Sequence, residues 1–165
     1  MIIRKAKMED AEEIAKVHVD SWRTTYKGIV PDSYLETLHY EKREEIWRTA
    51  IPTGNVFVAE NEEGRIVGFA NGGKERSGRY PGYDGELYAI YLLEAYQGKG
   101  IGSTLVKKVI EYLKEKGINS MIILALEDNP ACMFYETLGG KRMGTEELEI
   151  GGKEFTEVVY GWRLE

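Results

Sequence analysis

Three glycines at alternate positions stand out in the chain, within Gln97-Gly98-Lys99-Gly100-Ile101-Gly102. The preceding stretch, Glu86-Leu87-Tyr88-Ala89-Ile90-Tyr91-Leu92-Leu93, is apolar, aromatic and β-branched and reads as a buried strand. The following residues, 103–113, carry Leu105, Val106, Val109, Ile110 and Leu113 at helical spacing. A strand, a glycine turn and a helix in succession place the unpaired N–H groups of a first helical turn beside backbone that glycine leaves uncovered. The helix dipole adds partial positive charge there, so the turn suits a diphosphate.

Other phosphate-binding glycine motifs fail on spacing. A Walker A loop needs Gly-x-x-x-x-Gly-Lys-Ser/Thr, and no such run occurs. A dinucleotide fingerprint counted from Gly98 needs glycine where Ser103 stands, and it belongs to a first βα unit, not to mid-chain.

Stepping outward from the turn, residues 1–6 read as a first strand. Glu9-Asp10 open a helix with Ala11, Ile14, Ala15, His18 and Trp22 on one face. Residues 31–38 form a shorter helix, and residues 40–50 are helical again with Ile46, Trp47 and Ala50 on the buried side. Residues 55–60 and 65–74 read as a hairpin about Asn61-Glu62-Glu63-Gly64, followed by a loop over 75–85. Gly117 stops the long helix, and residues 120–126 form a fully apolar strand. Asn129-Pro130 starts a short helix ending at Gly139-Gly140. Residues 141–150 and 153–163 make a last hairpin about Gly151-Gly152, whose exposed edge can support a homodimer. Condensed, the order is β-α-α-β-β-β-α-β-α-β-β. Its two strand-helix-strand crossovers predict an α/β fold with a central mixed sheet of about six to seven strands and helices on both faces.

The chain of 165 residues is expected to be one domain, with 42% hydrophobic and 30% charged residues. No apolar run approaches a membrane span, and the first residues lack a signal-peptide pattern. The lone Cys132 excludes an internal disulfide and predicts a reducing, cytoplasmic setting. A net charge of −6 argues against nucleic-acid partners and mildly favours cationic ones. Two histidines argue against a metal site.

The Gln-x-x-Gly-x-Gly turn after a strand, then an apolar strand, then Asn-Pro with a tyrosine six residues past the Asn, resembles the GNAT family of acyl-CoA-dependent N-acetyltransferases. Gln97, Gly100 and Gly102 fit the first motif, Asn129 and Tyr135 the second, and the element order matches over the whole chain. The stretch Asp20-Ser21-Trp22-Arg23-Thr24-Thr25-Tyr26-Lys27-Gly28 resembles a bacterial and archaeal subgroup, many of whose members have no assigned acceptor.

The resemblance implies acetyl-CoA as co-substrate. Its pyrophosphate would lie on the backbone of Gly98, Lys99, Gly100, Ile101, Gly102 and Ser103. Its pantetheine arm would run along Ile90, Tyr91 and Leu92, where the family's strand splays from its neighbour. A backbone N–H near Ile90 would hold the charge developing on the thioester oxygen. Asn129 would cap the short helix and bond the pantetheine, while Tyr135 would act as general acid toward the departing thiolate. A phenol near pKa 10 and a thiol near 8.5 suit that exchange. Read only as a residue, Tyr135 is equally a core tyrosine with a backbone-bonded hydroxyl, and Lys99, Lys107 and Lys108 are equally solvated helix lysines.

Glu86 is the candidate base, since attack needs a neutral amine. It lies about 13 Å along an extended strand from Ile90, so proton removal would pass through water. Asp84, or no dedicated base, are alternatives, as is a solvated acid at a strand end. Trp22, Tyr26 and Tyr83, with Tyr80, are candidate acceptor contacts, and Glu75 or Asp84 would attract an ammonium group. Cys132, inside an apolar helical run, reads as an inert core thiol.

The expected activity is acetyl transfer to a primary amine, a small cationic amine such as a polyamine being favoured. Amino acids, antibiotic amines and protein N-termini stay open. A non-catalytic acyl-CoA sensor and a nucleotide-binding domain are the competing classes.

Overall fold

The computed structural model describes residues 1–164. Strand β1 (Ile2–Lys5) leads through a 3₁₀ turn into α1 (Ala11–Thr25), then α2 (Asp32–Leu35) and α3 (Tyr40–Ala50). Strands β2 (Val56–Glu60), β3 (Ile66–Lys74) and β4 (Gly85–Leu92) follow. Next come α4 (Ile101–Glu115), β5 (Ser120–Leu126), α5 (Ala131–Thr137), β6 (Lys141–Ile150) and β7 (Lys153–Arg163). The seven strands form one sheet in the order β1-β2-β3-β4-β5-β7-β6. Only β4 and β5 pair in parallel, joined by the α4 crossover. The fold is the mixed sheet that the sequence predicts.

Both faces of the sheet are covered. On one, Leu105, Val109 and Leu113 of α4 pack on Leu87, Met121 and Ile123, all nearly inaccessible. On the other, Ile14 and Ala15 of α1 and Trp47 of α3 pack on Val56, Val58 and Phe69. The period-3.6 stripe of α1 and the period-2 alternation of the strands produce these layers directly.

Two sequence expectations need correction. Three helices separate β1 from β2, as the residue-level reading has them although its condensed order writes two, and α2, expected over 31–38, shrinks to a single four-residue turn between Pro31 and Glu36. Ile46 is 52% exposed, because its neighbour Trp47 takes the one stripe of α3 that faces α1 and adjacent helical residues point about 100° apart.

Two irregularities in β4 position the site. Its pairing with β5 covers only Gly85↔Met121 and Glu86↔Ile122, although β4 continues to Leu92 and β5 to Leu126. Its pairing with β3 jumps from Gly72↔Leu87 to Asn71↔Ala89, leaving Tyr88 as a bulge residue. A bulge bends and twists its strand, and the last β4–β5 pair lies two residues before it.

Candidate active site

The parted strands open a cleft of about 600 Å³, within the usual range for small-molecule sites. One wall is Ile90, Tyr91 and Leu92 of β4. The turn after β4 supplies Gln97, Gly98, Gly100, Gly102 and Ser103, and the start of α5 supplies Asn129, Ala131, Phe134 and Tyr135; Thr24 and Thr25 close the α1 side. The edge of β4 that faces β3 is paired through Ala70↔Ile90, Phe69↔Tyr91 and Gly68↔Leu92, while the edge toward β5 is free. Such an edge accepts an extended ligand as an added strand would.

The turn itself is shaped by the backbone. Gly98 and Gly100 have φ of +75° and +81°, the left-handed region that L side chains avoid, and a Cβ at either would meet nothing within 4 Å. Gly102 serves packing, for a Cβ there would come within 3.1 Å of the Phe134 ring. Turn geometry and packing therefore account for all three glycines, and the space above the first two is open. Helical bonding starts with Thr104 N–H donating to Gly100 O at 3.3 Å. Among the described residues, the N–H groups from Gly98 to Ser103 have no acceptor, so they crown the N-terminus of a 15-residue helix.

Side chains near the turn do other work. Gln97 Nε2 donates to Leu92 O at 3.0 Å and holds the turn against the end of β4. Ile101 is buried in the core, so only its N–H faces the ligand side. The Lys99 ammonium sits over the Tyr96 ring, and Lys108 pairs with Glu111 one turn on. None of Lys99, Lys107 and Lys108 lines the cleft.

Tyr135 is 4% exposed, and its hydroxyl has no hydrogen-bond partner among the described residues, unlike a core tyrosine satisfied by backbone. Burial drives its pKa far above the phenol value, with Tyr26 and Cys132 adding to the effect. Asn129 is also buried. Its Oδ1 accepts the Ala131 N–H at 2.9 Å, and its Nδ2 donates to the Tyr26 hydroxyl at 2.9 Å. One N–H and one lone pair remain on that amide for a ligand. Cys132 Sγ is turned to Leu126 O, and burial pushes its thiol up, the state of an inert cysteine.

The aromatic candidates separate. Trp22 and Tyr26 stack 4.3 Å apart beside Tyr91. Tyr83, placed with them in the sequence reading, lies elsewhere. It packs under the Arg163 guanidinium and over Gly161, near the paired starts of β4 and β5 and away from the cleft.

Glu86 is 3% exposed, not a solvated strand-end acid. Arg76 grips it, Nη2 to Oε2 at 2.7 Å, Nε to Oε1 at 3.3 Å and backbone N–H to Oε1 at 3.2 Å. Arg79 binds Glu146 at 2.6 Å, and the Tyr80 hydroxyl donates to the same carboxylate. Glu157, opposite Glu146 on β7, has no ion-pair partner among the described residues, and burial together with Glu146 and Glu86 raises its pKa. Three carboxylates thus share a patch with two guanidinium groups. Glu75 is spent on the Ser77 and Gly78 N–H groups, and Asp84 is exposed. The sequence reading omitted Glu146 and Glu157. Counting the last hairpin outward from Gly151-Gly152 puts them face to face, a like-charge pair that signals some function or compensation.

Among the described residues no group of His, Cys, Asp and Glu is placed to hold a metal, and no helix is long and apolar enough to cross a membrane.

Comparisons with known proteins agree with this geometry. The model of the Acetyltransferase (GNAT) family matches residues 13–139. The N-acetyltransferase YuaI of Bacillus subtilis (strain 168) is 47% identical over 160 residues, 97% of this chain and 91% of that protein. Spermidine N(1)-acetyltransferase of Thermoplasma acidophilum is 30% identical over 122 residues, 70% of this chain and 72% of that protein. The crystal structure of the PaiA N-acetyltransferase from Thermoplasma acidophilum, in complex with coenzyme A, superposes with a TM-score of 0.72 at 24% identity and covers 98% of both chains. Cleft, turn and family match converge: the chain belongs to the GNAT acetyltransferase family and is an N-acetyltransferase.

Proposed function

We propose that this chain, acting as one catalytic domain in the cytoplasm, moves the acetyl group of acetyl-CoA onto a primary amine of a small cationic acceptor, by direct attack. The observation that carries the reading is the free edge of β4 running straight into a turn whose N–H groups are open. A long coenzyme with an amide-bearing arm and a diphosphate needs both features, side by side.

Acetyl-CoA supplies the activated acyl group. The N–H groups of residues 98–103 hold its diphosphate and the free edge at Ile90–Leu92 holds its arm, with the spare N–H of Asn129 as a further donor. A backbone N–H at Ile90 or Tyr91 faces the developing oxyanion. Tyr135 donates its O–H toward the departing sulfur. Since burial has raised the phenol well beyond a thiol, the proton passes only as the carbon–sulfur bond lengthens, and the proton shed by the amine restores it.

On the acceptor side, Glu86, Glu146 and Glu157 outnumber Arg76 and Arg79, which leaves a carboxylate for a substrate ammonium. Glu86 relays the amine proton through water once a cationic acceptor takes the place of Arg76. Trp22 flanks the route. The spermidine acetyltransferase relative supports a polyamine-like acceptor.

The test is release of free thiol from acetyl-CoA across polyamines, amino acids, aminoglycosides and N-terminal peptides. Polyamines should exceed amino acids by about tenfold or more in kcat/KM, one ionic contact's worth. Preference for an N-terminal peptide overturns the cationic acceptor. Coenzyme binding by calorimetry with no thiol release from any amine identifies a sensor and overturns the enzyme.

A further inference from the structure

The side chain of Tyr26 is 4% exposed, and Tyr26 does not itself line the cleft. Its partner is Asn129, 103 residues away in sequence and 93% buried, whose Nδ2 donates to it at 2.9 Å. The same amide accepts the Ala131 N–H through Oδ1 at 2.9 Å, and the Asn129 carbonyl accepts the Cys132 N–H at 3.1 Å. Both of these N–H groups belong to the first turn of α5. Tyr135 follows Ala131 by four residues, one turn along and on the same side of the helix.

A seven-residue helix does not hold itself, and the direction in which α5 points depends on what grips its ends. At the C-terminal end Gly140 N–H bonds Tyr135 O. At the N-terminal end the grip is Asn129, whose amide is held on one side by the Ala131 N–H of α5 itself, so a bond from outside the helix must anchor the other side. Tyr26 fixes it. The Tyr26 ring is in turn clamped by Trp22 at 4.3 Å, and the Tyr91 hydroxyl lies beside its own.

We propose that Tyr26 is a positioning residue for the acid: by holding the Asn129 amide it orients the first turn of α5 and so aims the Tyr135 hydroxyl into the cleft. The proposal rests on the reading of Tyr135 given above. It replaces the sequence expectation that Tyr26 contacts the acceptor. Loss of the hydroxyl leaves Asn129 bonded only to α5 itself, so Asn129 and the first turn of α5 can shift together. The effect falls on chemistry rather than on coenzyme affinity, because the turn at residues 98–103 is untouched.

The experiment is a double-mutant cycle with Tyr26→Phe and Tyr135→Phe, with kcat and KM measured for acetyl-CoA and the best amine. Tyr26→Phe keeps the ring and should lower kcat about tenfold with KM for acetyl-CoA changed less than about threefold, the loss expected for one buried hydrogen bond acting on the transition state. On the Tyr135→Phe background the same change should cost less than about twofold, since its target is gone. An equal loss on both backgrounds, or a wild-type kcat in Tyr26→Phe, overturns the tie while leaving the enzyme reading intact. If Tyr26→Phe does not fold, Asn129→Ala breaks the tie from its other end and enters the same cycle read in kcat alone at saturating acetyl-CoA, since Asn129 also meets the coenzyme. A wild-type chain that binds coenzyme but never releases thiol overturns both readings together.

Discussion

Gly100→Ala and Gly117→Ala form a matched pair that separates folding from binding. Both glycines flank α4, one at each end, with φ of +81° and +77°, and at both a Cβ would meet nothing within 4 Å. The strain of a left-handed alanine is therefore the same at the two positions, about 1 kcal/mol each and free of any clash term. For a chain of this size that lowers Tm by about 2–4 °C in either variant. Coenzyme affinity should divide them. Relief of the strain at Gly100 rotates the N–H groups at the head of α4 out of register. Losing one charge-assisted bond to the diphosphate, at about 1.5–3 kcal/mol, weakens binding by roughly tenfold to a hundredfold. Gly117 lies at the far end of a 15-residue helix, some 22 Å away at 1.5 Å per residue, and its variant should bind as the wild type does. Calorimetry with coenzyme A on both variants, beside their melting curves, reads the two effects separately. Equal affinities at matched Tm losses would show that the turn is a structural bend and not an anion site.

Tyr135→Phe should reduce kcat by about a hundredfold, with KM for acetyl-CoA within threefold, in steady-state thiol release; an unchanged kcat with chemistry rate-limiting removes the residue from the mechanism. Glu157→Gln should raise Tm at pH 7, because it removes a half-buried carboxylate directly opposite Glu146, a like-charge pair worth about 0.2–1 kcal/mol. The pKa of that carboxyl is raised in the fold, so its cost is present at neutral pH and disappears once acid protonates it. The gain should vanish near pH 4, and a gain independent of pH contradicts the argument. His18 behaves oppositely. Burial pushes its pKa down to about 3, and its Nδ1 accepts from Trp47 Nε1 at 3.2 Å, so the folded ring stays neutral while the unfolded ring titrates near 6.5. Stability from this group is complete above pH 6.5 and falls by up to about 1.4 kcal/mol per pH unit toward 3. Denaturant melts of the wild type and His18→Gln between pH 7 and 4 should show a steeper loss in the wild type, and equal slopes contradict the assignment to His18.

What the sequence reveals is local, and what it hides is long-range. The turn at Gly98 and Gly100 is legible because a left-handed φ is a property of single residues. The last hairpin is legible because Gly151-Gly152 fixes its register, and the pairs from Ile150↔Lys153 to Gly144↔Val159 follow by counting, until a bulge at Met143 shifts the last two. No local rule states that β4 and β5 part after Glu86↔Ile122, since both strands continue with apolar residues suited to pairing. Tyr26 and Asn129 meet across 103 residues, and each had a sufficient local explanation, an aromatic on a helix and an N-cap. Arg76 lies in a loop whose path the sequence leaves undefined, so its hold on Glu86 was invisible. Tyr83 groups with Trp22 because the loop before the fourth strand borders the acceptor pocket in the family this chain resembles, and the topology here sends it toward Arg163. Burial in particular cannot be read for a lone acid. Glu86 follows Gly85 at the start of a strand, where exposure is the rule, and is buried because residues 75–84 fold back over it.

The bulge at Tyr88 ties these observations together. Before it, Gly85 and Leu87 face α4, which sends Glu86 to the opposite face, toward Arg76 and Glu157. Strict alternation from Leu87 would continue with Ala89 and Tyr91 toward α4. The one extra residue reverses the parity. Ile90 and Leu92 pack on the α4 side, while Ala89 and Tyr91 join the cluster around α1, with Tyr91 stacked on His18 at 5.3 Å. One strand thus carries a carboxylate at its paired end and, past the kink, an unpaired edge with a tyrosine turned to α1. Pairing with β5 ends at Glu86, two residues before the bulge, so the twist that opens the cleft and the shift that orients its wall have the same origin. Deleting Tyr88 would remove the bulge and leave each facing as it is, with Leu87, Ile90 and Leu92 toward α4 and Ala89 and Tyr91 toward α1, on a strand that is no longer bent. The loss would be the cleft itself, since a regular β4 has no reason to leave β5.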